Sequence, residues 1–210
     1  MPTLTGLAPD PRQPGYRLVE VDRGRFASLP GGALEPLSLQ LGAALAPAVL
    51  DRLRELTDVE SAERAALRAL ARRAHARVDL RRRLVKKQHP PAAVDTALER
   101  LTVRGLLDDG RYAEQYAALR ATRGKGPARL LRDLLAQGVE RGTAEHAVQR
   151  ALEEEGIDPR LEARAVAAKR ARQLADLPPA VRQRRLLAFL ARRGYSGSEV
   201  LETVKEVLGM

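Results

Sequence analysis

Two aspartates stand side by side at Asp108 and Asp109, and two tyrosines follow at Tyr112 and Tyr116. Adjacent carboxylates can act as an acid/base pair, as hard oxygen ligands for a metal ion, or as caps for the orphan N–H groups of a helix. The surroundings favour the cap. Gly105 closes one apolar-periodic segment, Leu106 and Leu107 cross over, and the tyrosine spacing places both rings, with Ala113 beside them, on one face of the next helix. Asp108 or Asp109 should therefore cap that helix and meet the positive end of its dipole. Other chemistry is scarce. The 3 histidines, His75, His89 and His146, lie far apart without metal-ligand spacing. The absence of cysteine removes disulfides, thiolate zinc sites and a Cys nucleophile. The loop RATRGKGPAR (120–129) is basic, but it lacks the glycine–lysine spacing of a phosphate-binding loop. No catalytic site, metal or cofactor is expected.

The elements that would position these residues are mostly helices. The chain has 210 residues, 44% hydrophobic but only 3% aromatic, so its core must be built from Ala, Leu and Val. Ala and Leu are strong helix formers. No apolar run reaches the roughly 18 residues of a membrane span, and the N-terminus does not read as a signal peptide. These features suit a cytoplasmic protein.

Residues 1–15 carry four prolines and no periodicity, which predicts a disordered tail. In YRLVEVDRGRFASLPGG (16–32), two apolar runs flank Asp22–Arg23–Gly24, the signature of a β-hairpin. LEPLSLQL (34–41) could add a third strand, confined to an edge by Pro36. Helical periodicity begins at Pro47 and runs to Leu56, completing an N-terminal element over 16–57.

From there the pattern repeats. Leu80 and Leu84 are followed by Val94, Leu98 and Leu101. Leu130 and Leu134 are followed by Ala144, Val148 and Ala151, and Leu186 and Leu190 by Val200, Val204 and Val207. Each unit is preceded by a candidate helix, at Ser61–Arg73, Asp109–Arg123 and Pro159–Leu174. Gly138 and Gly194 are stop signals. Thr143, and Ser196 or Ser198, are candidate caps, and Pro90–Pro91 opens a helix. The predicted fold is all-α: three tandem three-helix repeats (58–108, 109–157, 158–210) in an elongated curved array, with a small β-hairpin element in front.

The segment GLLDDGRYAEQYAALR resembles the signature of the RecX family, small bacterial regulators of the RecA recombinase. Leu107, Asp108, Asp109, Tyr112 and Ala113 carry that signature. ALRALARRAHARVDLRRRLVKKQHPPAAVDTALERL upstream, and LLRDLLAQGVERGTAEHAV and FLARRGYSGSEVLETV downstream, are similar to the family's repeats over roughly residues 60–210. Where the family usually has Ser, this chain has Ala76, so the cap before that helix is weakened or shifted. The resemblance implies a protein that lodges in the groove of the RecA filament on single-stranded DNA and lowers ATPase and strand exchange.

Charge agrees with a polyanionic partner. The formal net charge is +10, and residues 1–57, with six basic and six acidic side chains, contribute none of it. Residues 64–87 hold ten Lys/Arg and one acid, and 160–193 hold ten and two, whereas the middle repeat is nearly neutral. With Leu80 and Leu84 facing inward, Arg82, Arg83 and Lys86 face outward, flanked by Arg73 and Lys87. With Leu186 and Leu190 inward, Arg184, Arg185 and Arg192 face outward. Arg123, Lys125 and Arg129 of the 120–129 loop complete the candidate contact set. Aromatics are too few for base stacking, so contact with single- or double-stranded DNA should run through phosphates, without sequence preference and with strong salt dependence. A monomer is expected. The rival reading is a helix-turn-helix transcription regulator, which should dimerise and prefer one duplex sequence.

Overall fold

The computed structural model describes residues 1–210, which form two compact units: Met1–Ala74 with Leu80–Leu107, and His75–Asp79 with Asp108–Met210. The first unit opens with three antiparallel strands, β1 (Leu4–Pro9), β2 (Tyr16–Val21) and β3 (Gly24–Pro30), in that spatial order. The hairpin lies where the sequence places it. Asp22 and Arg23, both at positive φ, link Val21 to its partner Gly24, a backbone hand that matches strand twist.

Two N-terminal expectations are corrected. Residues 1–15 are not a structureless tail, because 4–9 pair with β2 from Leu4↔Val21 to Pro9↔Arg17 and Leu4 is fully buried. An edge strand tolerates prolines because one side of its ladder needs no donors. Nor do residues 34–41 supply a strand. A short helix, α1 (Gly31–Leu34), leads into a 3-10 turn over Glu35–Leu37, with Pro36 in the first turn where its missing N–H costs nothing.

A long helix, α2 (Pro47–Leu70), follows. The helices expected at 47–56 and 61–73 are thus one, and the boundary placed after residue 57 falls inside it. No Gly or Pro interrupts 48–70, so nothing stops propagation. Leu53 and Leu56 pack into the sheet's core with Leu4, Val19 and Leu29. Further along, Val59, Ala62 and Ala66 join Leu80 and Leu84 of α3 (Arg77–Lys86) and Val94, Leu98 and Leu101 of α4 (Pro91–Val103). Each fully buried Leu here stabilises by about 2 kcal/mol. The helix α3 begins in the second unit and continues in the first.

Buried ions bind these layers. Glu60 and Glu63 are 5% and 8% exposed, values rare for carboxylates unless they are paired. Arg100 lies 2.9 Å from Glu60 and 3.3 Å from Glu63, Arg104 lies 2.6 Å from Glu63, and the Tyr16 hydroxyl donates to Glu60 at 3.0 Å. Sheet, α2 and α4 are thereby fastened together.

The second unit holds α5 (Asp109–Ala121), α6 (Pro127–Ala136), α7 (Arg141–Glu154), α8 (Pro159–Arg172), α9 (Pro179–Arg193) and α10 (Ser198–Leu208). Ala113, Ala117 and Ala121 of α5 share a core with Ala144, Ala147 and Ala151 of α7, closed by Leu130 and Leu134. The next core repeats the plan with Ala163, Ala167 and Ala171 of α8 around Leu186, Leu190 and Val204. The two repeats are joined by backbone: Gly126 N–H donates to Arg193 C=O at 2.8 Å and Ala128 N–H to Gly194 C=O at 3.3 Å. Gly194, at φ 91°, leaves no room for a side chain, since a Cβ would sit 2.2 Å from the Arg129 nitrogen.

Two expected caps are also corrected. Glu140, not Thr143, caps α7, and its carboxylate accepts the Thr143 N–H at 2.9 Å. Neither Ser196 nor Ser198 caps α10. Gly197 occupies that position without a side-chain bond, because the turn requires φ 109°.

Candidate nucleic-acid interface

The paired aspartates cap two different helices. Asp108 is extended, and its carboxylate accepts the Arg111 N–H at 3.0 Å, closing the start of α5. Asp109 instead accepts the Arg77 N–H at 2.7 Å, at the start of α3. That is the terminus where Ala76 can offer no side-chain cap, so the acceptor comes from 32 residues downstream. Beside it, buried His75 pairs through Nδ1 with Asp79 at 2.8 Å, bracing the first turn of α3. Both carboxylates are therefore engaged with backbone, and no group of three or more His, Cys, Asp or Glu is placed to hold a metal ion.

Tyr112 and Tyr116 share a face, with ring centroids 6.1 Å apart. The Tyr112 hydroxyl donates to Gln137, and the Tyr116 hydroxyl donates to Asp133 at 2.9 Å. Asp133 is an ionic hub: Lys125 lies at 2.9 Å and Arg129 at 2.8 Å. Burial pushes the Asp133 pKa up, but hydrogen bonds from Lys125 and Tyr116, with the Arg129 charge, outweigh it and hold the carboxyl below the usual aspartate value. Burial and the same carboxylate push the Tyr116 phenol up to about 12.

The expected contact residues separate accordingly. Lys125 and Arg129 are turned inward onto Asp133, while Arg123, from the same loop, is exposed. In the first unit Arg73, Arg82, Arg83, Lys86 and Lys87 are exposed, the last four carried by α3 and the residue after it. Their neighbour Arg81 is held by Asp95 at 2.6 Å. In the second unit Arg184, Arg185 and Arg192 are exposed on α9.

A second cationic group had no counterpart in the sequence pattern. Arg170 of α8 and Arg193 of α9 lie over the Phe189 ring at 5.6 and 4.9 Å. The spacing of Phe189 and Arg193, one helical turn, was visible, but the approach of Arg170 from α8 was not. Nearby, Tyr195 is 4% exposed with its hydroxyl unpartnered, and burial first, then Glu162, pushes its phenol up to about 12.

Family comparisons match this geometry repeat by repeat. Residues 62–101, 108–148 and 162–204 match the RecX first, second and third three-helix domains. The chain belongs to the RecX family. A regulatory protein RecX of Halorhodospira halophila is 40% identical over 143 residues, 67% of this chain and 84% of that protein. One from Pseudomonas syringae pv. tomato is 39% identical over 150 residues, 71% and 89% respectively. A crystal structure of a regulatory protein RecX superposes with TM-score 0.74 over 98% of this chain and all of that one, at 20% identity, a likeness of fold. The first match takes in the C-terminal part of α2 with α3 and most of α4, the second α5, α6 and the first half of α7, and the third most of α8, all of α9 and most of α10. The Asp108 and Asp109 caps sit at the junction between the first and second of them.

Proposed function

We propose that this chain regulates RecA-mediated recombination by inhibition. It binds the groove of the RecA filament on single-stranded DNA and suppresses ATP hydrolysis and strand exchange. It works as a monomer in the cytoplasm and needs no cofactor. The observation that carries the reading is the match of all three helical repeats to RecX domains, in order and over 124 residues in total. The exposed cations of α3 and α9 support it, because a filament built on DNA presents phosphates. Inhibition follows from bridging: a protein that holds neighbouring filament subunits opposes the motions that turnover requires.

The deciding measurement is ATP hydrolysis by RecA on single-stranded DNA with increasing amounts of this protein. A saturable fall in rate, restored by excess RecA, is the expected result. An unchanged rate together with tight, sequence-selective binding to a duplex would replace this reading with a transcription regulator.

A further inference from the structure

We propose that the cleft formed by α8, α9 and the loop after α5 binds the backbone phosphates of single-stranded DNA, which deepens, and rests on, action at a DNA-bound filament. The cleft has a volume of about 420 Å³, and its lining includes Arg123, Glu162, Lys169, Arg170, Phe189 and Arg193. Four cations thus face one carboxylate, and Glu162 forms an ion pair with none of them.

The cations are arranged at two depths. Arg170 and Arg193 are half-buried and pre-ordered. Both guanidiniums rest over Phe189, Arg193 donates to Gly124 C=O at 3.1 Å, and Arg170 donates to Gln173 at 2.6 Å. The Arg170 Nε–H is nevertheless buried without an acceptor. Such an orphan donor costs about 1–3 kcal/mol, a cost that an anionic oxygen in the cleft would relieve. Arg123 and Lys169 are exposed and have no carboxylate partner.

This pattern suits a phosphodiester chain. Phosphate oxygens accept from guanidinium forks, and Arg held by an aromatic ring loses little entropy on binding. A cavity of this volume accommodates a nucleotide-sized group, within the roughly 300–1,000 Å³ range of ligand pockets. A duplex is broader than its own major groove, itself about 12 Å wide, and so exceeds a cleft of this volume. Two inner cations and two at the mouth match successive phosphates of one strand better than a single free nucleotide.

The test uses the full chain and a fluorescent oligothymidylate, with anisotropy followed across a salt series. The double variant Arg123→Glu/Lys169→Glu changes exposed side chains only, and its fold is checked by circular dichroism and thermal melting. Affinity should fall by about tenfold or more, and the log–log salt slope should become shallower by about 1.4, roughly 0.7 for each lost phosphate contact. A charge-matched control, Arg17→Glu/Arg25→Glu on the N-terminal sheet, should change the slope far less. Equal losses in the two variants would reduce the effect to net charge and overturn the site. Two further arms identify the ligand: thymidine monophosphate competing as well as the oligonucleotide would make it a free nucleotide, and a duplex losing as much affinity as the single strand would make it an unselective surface. Either result overturns the proposal. RecA ATPase is measured in parallel. Loss of oligonucleotide binding without loss of inhibition would leave the regulator standing without this cleft's role in it, whereas intact cleft binding without any inhibition would refute the regulator alone.

Discussion

Asp109 shows how far a single side chain reaches. It closes the start of α3 from another helix, so its removal should weaken a terminus that local sequence cannot repair. Asp109→Ala is expected to lower unfolding free energy by about 1–2 kcal/mol and to speed amide exchange at Arg77, read by urea denaturation and hydrogen exchange. Asp108→Ala should cost a similar amount but leave Arg77 protected. Asp133 gives a pH signature. Its carboxyl titrates below the ordinary value, so the stability it contributes is complete above the unfolded pKa of about 4 and is lost as pH falls through the lower folded value. Asp133→Asn should therefore be less stable than the parent at neutral pH, with the gap closing in acid, as followed by urea melts at several pH values. Neither role was legible in the sequence. A cap that acts across 32 residues has no local signature, and Asp133 reads there as one more charge on a helix. Which of the two adjacent aspartates caps α5 was also left open, since both stand within reach of its first turn.

Among the elements, leucine spacing was the legible part. Leu80, Leu84, Leu130, Leu134, Leu186 and Leu190 are all buried, because two apolar residues four apart admit only one inward face. The N-terminal strand was not legible. Prolines argue against regular structure, yet an edge strand accepts them, and its partner lies outside the local window. The continuity of α2 was hidden for a related reason: Glu60 and Glu63 interrupt the apolar stripe, and only Arg100 and Arg104 from α4 make their burial tolerable. The turn after α9 makes the sharpest prediction at this scale. Gly194→Ala must both adopt a left-handed backbone and push a Cβ against the Arg129 nitrogen, so it should destabilise by about 3 kcal/mol or more. Gly156→Ala, which has positive φ but open space, should cost only about 1 kcal/mol. Thermal melts of the two variants separate backbone strain from overlap.

For the whole molecule, charge distribution is the property that links structure to action. The excess of +10 was readable by counting, but its availability was not. Lys125 and Arg129 are turned onto Asp133, and Arg82, Arg83 and Lys86 are exposed along α3. Reversing those three to Glu should weaken inhibition of RecA ATPase by about tenfold or more at moderate salt, and the deficit should shrink as salt screens the contact. A folded triple variant with full inhibitory strength would remove α3 from the interface. The backbone link of Gly126 and Ala128 to Arg193 and Gly194 has a consequence for anyone recombining these proteins. Its acceptors are carbonyls, which any residue supplies, but its fit depends on two missing side chains, at Gly126 and at Gly194. Chimeras crossing over near residue 158 keep Gly126 with their N-terminal part, so in a shuffled library the survivors should be those whose C-terminal donor brings glycine at 194.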